Sequence, residues 1–181
     1  QLFQRIDGSI NTIDAGSKET KYSGNSVLII NDDGSVDLLQ EDNVQLKGRG
    51  NTTWLSAEKK PYQIKTDKKQ SVLDMGKAKK WVLLANDFDD TLMRNKIMFD
   101  IAEQMGDWYV CDFEYVDLWI DGNYRGNYLI GEKCEIGDKR LNLDDENALL
   151  MELDEAFYYQ EDYSTYNDKI GRHFAVSDSV S

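Results

Sequence analysis

Three cations far apart along the chain, Arg49, Lys65 and Arg94, carry the clearest chemical signal in the sequence. Arg49 lies in Gly48-Arg49-Gly50-Asn51, where the chain bends or lets another group approach its backbone closely. Backbone N–H groups and a guanidinium placed there can meet a phosphate, although a plain strand-ending turn has the same spelling. Lys65 closes an alternating run, Tyr62-Gln63-Ile64-Lys65, inside a basic stretch. Residues 58–80 hold eight lysines against Glu58, Asp67 and Asp74, a local charge of +5, so the other 158 residues carry −18. A positive segment on an acidic body can hold a phosphate or another anion, or it can simply fill turns and wet strand faces. Arg94 falls within an apolar stripe, and a charge aimed at a core needs either an internal carboxylate or a bound anion.

Those side chains must be positioned by a sheet and one helix. Apolar runs at 26–30 and 36–39 flank Asp32-Asp33-Gly34-Ser35 and predict a hairpin. Strands are expected at 44–48, at 62–66 behind the lone Pro61, and at 81–85, a continuous apolar run that reads as buried on both faces. Asp121-Gly122, between runs at 114–120 and 123–130, is the strongest hairpin signal, and 149–153 is a last strand. A helix is expected over 90–105, capped by Asp89 or Asp90 and stopped by Gly106. Met93, Ile97, Ile101 and Met105 are spaced by four and mark its core-facing side; Lys96, Asp100 and Glu103 fall on the wet side. The predicted fold class is α+β: a mainly antiparallel sheet with one packed helix.

Composition narrows the chemistry. At 181 residues, 40% hydrophobic, the chain is long enough to bury a core and too apolar to be disordered. Its net charge of −13 disfavours nucleic acid as a partner. No apolar run nears the roughly 20 residues of a membrane helix, and no signal peptide is seen. One histidine, His173, excludes multi-imidazole metal sites, and Cys111 and Cys134 lack zinc spacing, so no metal ligands are assigned. Asp154 reads as a strand cap rather than a metal ligand.

Several blocks together resemble the CotH kinase family, named for spore coat protein H. They are Leu46-Lys47-Gly48-Arg49-Gly50-Asn51-Thr52-Thr53-Trp54, Lys59-Lys60-Pro61-Tyr62-Gln63-Ile64-Lys65 and Lys79-Lys80-Trp81-Val82-Leu83-Leu84-Ala85-Asn86, followed by Thr91-Leu92-Met93-Arg94-Asn95-Lys96. Val116-Asp117-Leu118, Gly122-Asn123-Tyr124-Arg125-Gly126-Asn127-Tyr128-Leu129-Ile130 and Glu132-Lys133 complete the set, in the family's order over about 44–154. The resemblance implies the small lobe of a protein-kinase-like fold. It also implies ATP with Mg²⁺ or Mn²⁺ as cofactors, and phosphorylation of proteins, spore coat proteins included. On it, Arg49, Lys65 and Arg94 are the expected phosphate contacts, and Glu132 stands in the hinge that meets the adenine.

The family's metal-binding and catalytic aspartates lie in a larger lobe for which residues 155–181, acidic and rich in tyrosine, are too few. The chain is therefore divided into an entry segment and hairpin (1–43), a CotH-like domain (44–154) and a C-terminal segment (155–181), and is expected to be inactive alone, with no catalytic residue assigned. The location implied is extracellular, cell-surface or spore coat, with a protein substrate or surface partner. The rival reading is a non-catalytic module that docks proteins or carbohydrate through Trp119, Tyr124 and Tyr128.

Overall fold

A computed structural model describes residues 1–5, 10–106, 108–145, 147–153 and 163–179. Asp154, expected to cap a strand, lies outside them, as does much of the acidic segment that follows. The chain divides into two compact units, Gln1–Lys133 and Cys134–Ser181.

The first unit is a closed barrel in the order β1-β2-β3-β4-β5-β7-β6. Its strands are β1 (Leu2–Arg5), β2 (Tyr22–Ile30), β3 (Val36–Gly48), β4 (Tyr62–Val72), β5 (Met75–Leu84), β6 (Phe113–Ile120) and β7 (Asn123–Glu132). Alternation supplies the core: Val27 and Ile29, Val44 and Leu46, Tyr62 and Ile64, Trp81 and Leu83, Leu118 and Ile120, and Tyr128 and Ile130 all point inward and are buried. Both hairpin turns read from the sequence form, with Gly34 at φ +84° and Asp121-Gly122 at φ +49° and +77°. The expected pieces at 36–39 and 44–48 join into one strand, β3, in which Asn43 takes φ +62°.

The predicted α+β small lobe of a kinase-like fold is not what forms. Residues 2–5, read as part of a polar entry segment, pair antiparallel with β2 and parallel with β6, and so join the sheet's two edges into a ring. The helix α3 (Arg94–Met105) buries none of its residues. It touches the barrel through Phe99, whose ring stacks on Phe113 at 4.3 Å between centroids, beside Val82 and Leu129. The expected orientation is reversed: Ile97, Met98, Ile101 and Met105 face solvent at 44–62% exposure. Lys96 turns toward the sheet, 2.7 Å from Asp100 and 3.7 Å from Glu114. Periodicity groups residues on one face but does not say which face a single aromatic anchor brings to the wall.

Two short helices close one barrel end. α1 (Ile10–Ala15) sends Ile13 into the core, and its Asp14 accepts from the Tyr62 hydroxyl at 2.5 Å and from Arg125 at 2.7 Å. α2 (Thr52–Ser56) lays Trp54 over Gly48 and edge-on to Tyr62. Tyr128 stacks on Tyr62 inside the barrel, so it is not part of an outer docking face; Trp119 is half-buried between Phe3 and Tyr124.

In the second unit β8 (Leu149–Leu153), β9 (Ser164–Asn167) and β10 (Arg172–Ser179) form a sheet in the order β8-β10-β9. Cys111 and Cys134 are free thiols.

The seat of α3 depends on Gly131, which lies opposite Phe113 in the ladder. A Cβ there would stand 2.1 Å from Phe113 Cδ1 and 2.5 Å from the Asp112 carbonyl oxygen. Gly131→Ala is predicted to destabilise the barrel by about 1–3 kcal/mol, read as a lower denaturant midpoint.

Candidate functional site

A cavity of about 300 Å³ opens at the end of the barrel where β4 and the turn after β3 begin and β5 ends. Its wall on the barrel side holds Arg49, Thr53, Lys59 and Pro61; the loop after β5 supplies Asn86, Asp87, Phe88 and Asp89; and α3 adds Arg94 and Asn95. The structure thus brings Arg49 and Arg94 to one pocket, and adds Lys59.

Arg49 is half-buried, and loss of hydration lowers its pKa from the usual guanidinium value. It remains charged, as guanidinium does in proteins, yet no carboxylate among the described residues pairs with it. The flanking glycines have a packing explanation. A Cβ on Gly48 would lie 2.5 Å from the Trp54 ring, and Gly50, at φ +78°, would press one to 2.2 Å from Thr53 Oγ1. The backbone N–H of Arg49 bonds to the Pro61 carbonyl at 3.2 Å, so this amide is already engaged.

Lys59 was passed over in the sequence in favour of Lys65. Its ammonium donates to the carbonyls of Ala85, at 2.9 Å, and Asn127, and lies 4.4 Å from the centre of the Tyr128 ring. Two of its three protons are thereby engaged, which fixes the third in direction. Burial lowers its pKa, with Asp87 opposing. No local pattern betrays this role, because its partners are 26 and 68 residues away.

Lys65 and Glu132, expected alongside the two arginines, stand elsewhere. Tyr62 and Ile64 point into the barrel, so Lys65 points out, about 13 Å along β4 from the pocket's edge at Pro61. It pairs across the sheet with Gln45 and Lys80. Glu132 is buried on β7, where its carboxylate accepts from the Tyr109 hydroxyl at 2.8 Å and the Asp112 N–H at 3.3 Å. Its own N–H donates to the Asp112 carbonyl, so the residue pins 109–112 to the barrel.

Arg94 reaches the pocket by being the first residue of α3, not by facing a core. Its side chain is 74% exposed and lies 3.6 Å from Asp89. The loop before it is tightly bound: Asn86 and Leu92 both take positive φ, Asn86 Nδ2 donates to the Leu92 carbonyl at 3.3 Å, and Asn95 Nδ2 donates to Asn86 Oδ1 at 2.7 Å. Asp89 accepts from the Thr91 hydroxyl at 2.7 Å, the Thr91 N–H at 3.1 Å and the Arg94 N–H at 2.9 Å. The helix thus begins at Arg94, four residues after the expected start, with Met93 and not Asp89 or Asp90 at the N-cap position and no side-chain bond from that residue; Asp89 instead reaches the Arg94 N–H from the preceding loop.

Mg²⁺ or Mn²⁺ has no evident protein site here. Among the described residues no group of three or more His, Cys, Asp or Glu side chains is arranged to hold a metal. Of the pocket's two carboxylates, Asp87 accepts the Glu58 N–H at 2.8 Å and Asp89 accepts the Arg94 N–H at 2.9 Å. The described residues do not fit a resident metal.

The sequence profile of the family described as CotH kinase protein matches residues 46–178. The match spans most of the chain, which belongs to this family, and it includes Arg49, Lys59 and Arg94. No curated protein matches the chain.

The Thr91 hydroxyl and Arg94 N–H bonds lower the Asp89 pKa below the usual carboxylate value. These bonds from Asp89 therefore stabilise the start of α3 fully above the unfolded-state pKa, and the benefit fades as pH falls through the lower folded-state value. Asp89→Ala is predicted to speed amide exchange in the first turn of α3 at pH 7, with the difference from wild type shrinking below about pH 4.

Proposed function

We propose that this CotH-family chain binds the phosphates of ATP in the pocket formed by Arg49, Lys59 and Arg94. One observation carries the reading: Arg49 is held half out of water with no carboxylate among the described residues paired with it, and a cation so placed is completed by an anion. Its planar fork suits two oxygens of one phosphate. Lys59, already fixed by two carbonyls, directs its remaining proton at a second. Arg94 closes the set from the rim, because a surface ion pair at 3.6 Å is worth little and releases its guanidinium cheaply.

Family membership supports a kinase-related role, and phosphorylation of a protein substrate is our proposal for the complete catalytic assembly. The divalent ion is assigned to the nucleotide, as Mg-ATP, since the described residues do not fit a metal of their own. No described residue is given the part of general base, and binding is the step assigned to this chain.

Calorimetric titration with Mg-ATP tests the reading. Arg49→Gln is predicted to weaken binding about tenfold to a hundredfold, the range of one lost charged hydrogen bond, and Lys65→Ala to leave it unchanged. Absence of binding by wild type, or equal affinity in Arg49→Gln, contradicts it.

A further inference from the structure

The basic stretch that stands out in the sequence is mostly not at the pocket. Lys59 lines it and Lys60 bonds the Trp54 carbonyl at 2.7 Å, but the other six lysines all lie on the β4–β5 hairpin. Lys65, Lys68, Lys69, Lys77 and Lys79 are exposed there, and none has a carboxylate partner among the described residues. Lys65 stands across the ladder from Lys80.

The hairpin is also shaped around these charges. Between the pairs Lys65↔Lys80 and Gln70↔Ala78, β4 advances five residues while β5 advances two. The surplus forms a bulge carrying Asp67, Lys68 and Lys69. Buried Thr66 pins it, its hydroxyl 2.7 Å from the Lys68 carbonyl and 3.2 Å from that of Lys79. Bulges of this kind re-aim side chains. Lysines also guard strand edges, but here they are gathered on one hairpin of an otherwise acidic chain. In a chain with 34 acidic and 21 basic residues, a concentration of unpaired positive charge selects its partner by sign.

We infer that the outer face and bulge of the β4–β5 hairpin form a docking surface for an extended polypeptide segment rich in Asp and Glu, separate from the phosphate pocket. Charge complementarity sets the sign, and the rest of the chain sets the class. Residues outside 58–80 carry −18, so a long, stiff polyanion such as duplex nucleic acid running past the hairpin meets repulsion from the body. A flexible acidic segment of about five to eight residues covers the bulged stretch from Lys65 to Lys69 and ends before that repulsion begins.

Fluorescence anisotropy with labelled (Glu-Ser)₆ tests the surface, using (Gln-Ser)₆ and the oligonucleotide dT₁₂ as comparison probes. The acidic peptide is expected to bind at low salt and to weaken as salt rises; the neutral peptide is not expected to bind. The combined variant Lys65→Gln, Lys68→Gln, Lys69→Gln should bind about tenfold more weakly, and Lys21→Gln, an exposed lysine outside the hairpin, should match wild type. Thermal unfolding checks the fold, and Lys77→Gln with Lys79→Gln provides a second variant expected to weaken binding in the same direction. No binding of (Glu-Ser)₆, undiminished binding by both folded variants, or tighter binding of dT₁₂ overturns the inference.

Discussion

A guanidinium kept half out of water, with no carboxylate among the described residues paired to it, is the constraint on which this account rests. Arg49 is put there by packing. Gly48 has no side chain because the Trp54 ring occupies that space, Gly50 turns the chain at positive φ, and the Arg49 N–H is tied to Pro61. Trp54 meets Tyr62 edge-on, Tyr62 stacks on Tyr128, and Asp14 binds both Tyr62 and Arg125. The backbone from which Arg49 projects is therefore set by a chain of aromatic and polar contacts that closes the barrel end, and closely packed contacts of this kind hold it in one arrangement.

The two walls of the pocket differ in how firmly they are built. The barrel side, bearing Arg49 and Lys59, belongs to a closed sheet with a continuous core. The other wall is a loop and a helix that buries none of its residues. Asp89, Asn86 and Asn95 hold that loop with hydrogen bonds, while Phe99 supplies its main apolar anchor. Segments with few buried contacts open at lower free energy than the core they hang from. The pocket therefore pairs fixed cations with a more easily opened rim carrying Arg94, and ligand exchange is expected to follow the rim.

Local features were legible where local physics decides them. The Asp-Gly turns, the inward alternation of most strands, and a helix stopped at Gly106 follow from backbone preference and periodicity, whereas the helix start was placed four residues early. What escaped was long-range. The entry segment allowed one short strand, but nothing in Leu2–Arg5 announces that it pairs with β2 on one side and β6 on the other, and that pairing turns an open sheet into a barrel. The helical stripe was read correctly as a stripe and assigned to the wrong side. Lys65 met every local test for a phosphate ligand, but strand alternation turns it outward, far from Arg49. Lys59, on an irregular stretch with no period, is positioned by two carbonyls distant in sequence and could not be ranked ahead of its seven neighbouring lysines. The block spellings shared with the CotH family fared better, because a family match integrates many weak positions at once.

The most direct measurement is nitrogen-15 NMR of the arginine side-chain Nε–H groups during addition of Mg-ATP. The account predicts that the Arg49 signal shifts and its hydrogen exchange slows as nucleotide is added, with a smaller change at Arg94 and none at Arg125, which Asp14 already engages. An Arg49 signal unmoved at saturating nucleotide would contradict the claim that this charge awaits an anion.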